Sequence, residues 1–167
     1  MTRADELARE LTAMFEADQA LRREAAGDRE RWPALAALDR RHTARLREIV
    51  NEIGWPSIPL VGEIAAQAAW LIAQHADQDR AFQRRCLELM RELPDGAVWP
   101  RHIAYLEDRV LVGAGEPQRY GTQLRPAAGG GFEPAPIADP ARVDERRASV
   151  GLEPLAEYLA LARESLR

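Results

Sequence analysis

The stretch Leu60 to Gln74 constrains the fold more than any other part of the chain. Alanine occupies positions 65, 66, 68, 69 and 73 within it. Alanine favours helix and carries no bulk, so neighbouring helices can approach such a segment closely. On a helical projection Ile64, Ala68, Leu71 and His75 form one stripe, and Glu63, Gln67, Trp70 and Gln74 form the adjacent one. Polar side chains beside a small-residue face suit a helix that borders a cavity. The spacing predicts one apolar helix from near Leu60, a break at His75-Ala76-Asp77, and a second helix running on through Gln83.

Helical periodicity recurs on both sides. Leu7, Leu11, Met14, Phe15 and Leu21 predict a helix from Ala4 to about Ala26, stopped by Gly27. Asp18 interrupts that stripe; it either points inward toward an arginine or marks the stripe's edge. Pro33 suits the first turn of a helix ending at Gly54, with Leu35, Leu38, Leu46, Ile49, Val50 and Ile53 on its apolar face. His42 falls in that face, as a core histidine with a partner or as a site residue. Gly54 to Pro59 reads as a rigid connector. Asp77 is placed to cap the next helix, with Asp79 in its first turn and Phe82, Cys86, Leu89, Met90 and Leu93 facing inward. A further helix is expected over Pro100 to Val112, although Val110-Leu111-Val112 leaves a short strand open.

From Gly113 to Pro140 the pattern changes to Gly and Pro around Gly129-Gly130-Gly131, which predicts a long loop or a β-hairpin. Gln118, Tyr120 and Thr122 would share one face if this segment were a strand. Asp139-Pro140 and Glu153-Pro154 each open a C-terminal helix. The expected fold is therefore mainly α. It is a compact multi-helix single domain over 1–167, with an N-terminal helix in 1–30, a motif-bearing core in 55–125, a Gly/Pro-rich loop or short hairpin around 113–138, and C-terminal helices in 139–167.

Composition removes several functions. All 23 basic residues are arginine. Without lysine there is no Schiff base, no lysine general base and no Walker-type phosphate loop. The net charge of −4 is spread along the chain, with no basic block for a phosphate backbone, so nucleic acid is not an expected partner. The single cysteine, Cys86, excludes an internal disulfide and a Cys-rich zinc site. No apolar run approaches the ~20 residues of a membrane span, and the N-terminus shows no apolar signal core. No membrane partner is expected, and a reducing cytoplasm is the expected location.

A series of short motifs is similar to a known family. It runs through Trp55-Pro56, Leu60-Val61-Gly62, Ala69-Trp70-Leu71, Gln74-His75-Ala76-Asp77, Ala104-Tyr105-Leu106 with Asp108-Arg109-Val110, Gln118 with Tyr120-Gly121-Thr122-Gln123, Pro136-Ile137, Asp139-Pro140, and Arg147 with Val150-Gly151-Leu152. In order and spacing it resembles an uncharacterised bacterial family, domain of unknown function 6624. The resemblance covers roughly the whole chain and implies boundaries and candidate positions, not a reaction.

His75 is the leading catalytic candidate, because imidazole exchanges a proton near neutral pH without a large pKa shift. Asp108 or Glu63 would orient it; a core histidine satisfied by a carboxylate is the alternative. Tyr105 and Arg109 would hold substrate charge. Gln67, Gln74, Gln118, Tyr120, Thr122 and Gln123 would bind and close over the substrate by neutral hydrogen bonds. The expected ligand is a small polar metabolite, undergoing hydrolysis or elimination in a pocket that gathers these groups. The rival reading is a non-catalytic binding or protein-interaction module, in which the same groups form a structural network. Two histidines among His42, His75 and His102 could meet Glu63 or Asp79 around a metal. No His-x-x-x-His pair exists, however, and no metal or cofactor is expected. Ser57, Ser149 and Ser165 lie on no nucleophile elbow.

Overall fold

The computed structural model describes residues 1–165, and the chain divides into two compact units, Met1–Val98 and Trp99–Arg167. The architecture is mainly helical with one small antiparallel hairpin. Among the described residues no helix is long and apolar enough to cross a membrane.

The first unit is built on two long helices, α1 (Arg3–Ala25) and α2 (Trp32–Ile53), joined by a 3-10 turn at Arg29–Arg31. A capping box starts α1: Thr2 Oγ1 accepts from the Asp5 N–H at 3.2 Å, and the Asp5 carboxylate accepts from the Thr2 N–H at 2.7 Å. Leu7, Leu11, Leu46 and Ile49 are fully buried. Each such side chain stabilises the fold by roughly 1.5–3 kcal/mol.

The apolar helix expected from Leu60 is instead two helices, α3 (Ile58–Val61) and α4 (Glu63–Gln74). Gly62 separates them at φ 82°, a left-handed conformation that breaks the helix and is open to glycine at little cost. The inward face of α4 also differs from the expected stripe. Ala65, Ala68, Ala69, Ile72 and Ala73 face inward, while Ile64 is 65% exposed. The alanine face packs chiefly on α1 and then on α2, as its small side chains allow.

Helix α5 (Arg80–Arg91) is capped by Asp79, not Asp77: the Asp79 carboxylate accepts from the Phe82 N–H at 3.1 Å. Gln83 on α5 is fully buried and donates to the carbonyls of Ala73 and Gln74 at 3.0 and 3.2 Å. It thereby supplies a side-chain donor to carbonyls at the end of α4. Cys86 is a core thiol, and burial pushes its pKa up to about 12.

The second unit starts with α6 (Pro100–Gly113), so Val110-Leu111-Val112 is helical. The Gly/Pro-rich segment holds the hairpin of β1 (Leu124–Pro126) and β2 (Phe132–Pro134), with Arg125 opposite Glu133. Residues 118–123 are not a strand. Gln118 makes only an isolated parallel bridge to Ile137. Asp139, at φ 46°, makes no side-chain cap; a 3-10 turn at Pro140–Arg142 leads into α7 (Val143–Ser149), and α8 (Leu155–Ser165) follows.

Candidate functional site

Three helices of the first unit bring polar side chains together in its interior. Asp18 comes from α1, Asp39 and His42 from α2, and His75 from the residue that follows α4; with Ile72 they line a crevice too narrow to hold a water molecule. Asp18 is 2% exposed, so it does point inward. Arg22, one turn along α1, donates from Nε to both Asp18 oxygens at 3.0 and 3.1 Å and from Nη2 to Asp39 at 2.6 Å. Gln19 donates to Asp18 Oδ2 at 2.9 Å.

His75 Nδ1 stands 3.3 Å from Asp18 Oδ1. The two atoms are close without hydrogen-bond alignment, and the Nδ1 atoms of His75 and His42 are both buried with no hydrogen-bond partner. About a fifth of the His75 side chain remains open to solvent.

Burial raises the pKa of Asp18, but the His75 ring, Arg22 and Gln19 outweigh it and leave the carboxyl below its ordinary value. Asp39 goes the other way. Burial lifts it above the ordinary carboxyl value, with Asp18 and Asp77 adding to the rise against Arg22 and His75. His42 is lowered by burial, so its neutral form is favoured. The donor atoms of Asp18, Asp39 and His75 all lie within 4.8 Å of one another.

The other expected residues of this unit lie elsewhere in it. Glu63 is the first residue of α4 and His75 follows its last, a separation of about 18 Å at 1.5 Å per residue. Glu63 is exposed and lines a separate 410 Å³ surface groove with Arg9, Thr12 and Glu16. It cannot orient His75; the carboxylate beside His75 is Asp18. Gln67 is exposed and Gln74 is buried. Asp18 and Asp39 were missed as site residues. The interruption of the α1 stripe at Asp18 was the one available signal.

In the second unit, Asp108 is fully buried. It accepts from the backbone N–H groups of Arg119, Tyr120 and Thr122 at 2.7, 3.1 and 3.0 Å, and from Thr122 Oγ1 at 2.9 Å. Gln118 is also fully buried: its amide donates to the carbonyls of Gln123 and Ala135 at 2.9 Å each and accepts from the Gln123 N–H at 2.8 Å. Arg109 donates to Gln123 Oε1 at 3.1 Å, and Gln123 donates to Thr122 Oγ1 at 3.1 Å. Tyr158 donates to the Thr122 carbonyl at 2.7 Å and meets Tyr105 edge to face. Arg147, fully buried, donates to the carbonyls of Tyr120 and Glu153 at 2.7 and 2.6 Å. Tyr105, Asp108, Arg109, Gln118, Tyr120, Thr122 and Gln123 therefore do gather within one unit. What Asp108, Gln118 and Arg147 hold there is the irregular backbone of 118–123.

The fold and the two polar clusters define a mainly helical protein with one backbone-organising network, in which Arg147 Nη2 is buried without a hydrogen bond, and one Asp/His cluster with two such imidazole nitrogens. Residues 5–166 match the model of DUF6624, a family of unknown function, and the chain belongs to that family. No curated protein and no solved structure matches it.

Proposed function

We propose that this chain is a small enzyme whose reactive centre is the Asp18–His75 pair, acting by proton transfer in the hydrolysis or elimination of a small polar metabolite. The observation that carries the reading is the position of His75, with a buried carboxylate 3.3 Å behind it and about a fifth of its side chain facing solvent. A buried carboxylate behind a partly exposed imidazole suits a proton-transfer group, with the ring edge turned to solvent. Arg22, 28% exposed at the same edge, offers a guanidinium to an anionic substrate group. The crevice is too tight to admit a functional group, so a substrate would meet the exposed edge of His75 from the surface. The single buried cysteine suits a reducing cytoplasm.

The second unit supports the rival reading for its own residues. Its polar groups are engaged with each other and with backbone, as a structural network requires. The test is a melting-temperature screen of polar metabolites against the wild type, His75→Ala and Asp18→Asn. A compound that stabilises the wild type and neither variant supports a ligand site at this pair. A wild type that no compound shifts would leave the network reading in possession.

A further inference from the structure

We propose that Asp18, Asp39, His42 and His75 form a binding site for one divalent transition-metal ion of the zinc, iron(II) or manganese class. Geometry supplies the first argument. Donor atoms of Asp18, Asp39 and His75 come from three helices and lie within 4.8 Å of one another. Donors around a tetrahedral zinc with 2.0–2.1 Å bonds are about 3.4 Å apart, so small rotamer adjustments close the shell.

The imidazoles supply the second, independent argument. The Nδ1 atoms of His42 and His75 are buried without any hydrogen-bond partner. The large majority of buried polar side-chain atoms in native proteins have a partner, so two orphans beside one crevice point to an occupant, to which neutral imidazoles can offer lone pairs. A metal ion is such an occupant. Calcium and magnesium prefer all-oxygen sites, whereas two imidazoles with carboxylates suit zinc, iron(II) and manganese.

Charge agrees, and the crevice is too tight for a water molecule or a metabolite, so any occupant would be a bare ion bonded directly to the side chains. Two carboxylates face a single guanidinium there, which leaves room for further positive charge. Arg22 does not block the site. Each carboxylate has about four lone-pair positions, and Arg22 on the outer ones would hold both groups in orientation, as outer partners of metal ligands do.

The inference shares its location with the function proposed above but goes beyond it, since an ion held only for structure would satisfy it. With an ion bound, His75 would serve as one of its ligands, and the ion would supply Lewis-acid chemistry at the crevice mouth.

The experiment titrates the full chain, stripped by a chelator, with Co²⁺ followed by visible absorption and with Zn²⁺ or Mn²⁺ followed by calorimetry. One ion per chain is expected, with a rise in melting temperature. His75→Ala and Asp39→Asn should each weaken binding at least about tenfold. Glu88→Gln, on the exposed face of α5, should bind as the wild type does. Histidine ring NMR signals of the wild type, followed during Zn²⁺ addition, need no variant to fold. Shifts at His42 and His75 are expected. Absence of stoichiometric uptake of all three ions, equal affinity in wild type and variants, or shifts confined to His102 would overturn the proposal. Ion uptake without any metabolite effect would sink the proton-transfer enzyme and leave this site standing; a metabolite effect without ion uptake would do the reverse.

Discussion

Asp18 and Asp108 are both carboxylates removed from water, and their surroundings differ in kind. Asp108 is enclosed by the N–H groups of Arg119, Tyr120 and Thr122 and by one hydroxyl, so its partners are mostly backbone. Asp18 is enclosed by the side chains of Arg22, Gln19 and His75. Backbone donors cannot leave without unfolding the loop, and a carboxylate held by them serves architecture. Side-chain donors can rotate to admit a ligand, and two imidazole nitrogens near Asp18 still lack partners. Polar residues gathered in one place are therefore weak evidence of a site; what tells the two cases apart is whether the partners are backbone or side chain, since Arg147 Nη2 in the second cluster is also buried without a hydrogen bond.

Substitutions can break this contrast. Asp108→Ala should have the largest effect, because it strands several buried N–H groups at once; a loss of about 4 kcal/mol is expected in urea unfolding. A loss below about 1 kcal/mol would remove the architectural role.

Acid should act on the second unit through His102, which burial and then Arg101 lower from the ordinary 6.5 to about 4. The unfolded chain binds this proton first, so stability is full above pH 6.5 and declines as pH falls toward 4. The decline amounts to roughly 3 kcal/mol at most. Unfolding curves across that range, compared with His102→Gln, isolate the contribution.

Gly121 has φ 71°, and a Cβ there would lie 2.9 Å from Leu155 Cδ1 and 3.0 Å from Ile137 Cδ1. Gly121→Ala should cost roughly 1–2 kcal/mol, softened because both neighbours are flexible side-chain ends. The smallest effect is expected at the other cluster. His75→Gln removes no backbone partner and should change stability by less than about 1 kcal/mol in chelated protein, while abolishing the response to ligand or ion. A large loss of stability there would make the first cluster as architectural as the second.

Much of the fold was legible in the sequence. Helices α1, α2, α5 and α6 follow from apolar spacing with Gly and Pro at their ends, and the glycine triplet marks the turn of the hairpin. These signals act over a few residues, the range on which helix and turn formation depend. The errors were also local. Gly62 was read as part of a helix that its left-handed φ in fact divides, and Asp77 was preferred to Asp79 as a cap.

The site was far less legible. His75 stood out by its chemistry alone, but its carboxylate partner was sought at Glu63 and Asp108. Positions 18, 39, 42 and 75 share no local pattern; they meet because α1, α2 and α4 pack with particular rotations about their axes. Periodicity along one helix says which face is buried and nothing about which residue of another helix faces it. Local propensity and punctuation settled the helices and the hairpin. Only the packing of side chains between helices decided that Asp18 and Asp39 would join His42 and His75, because that contact depends on crossing angle and register, quantities that no single stretch of chain encodes.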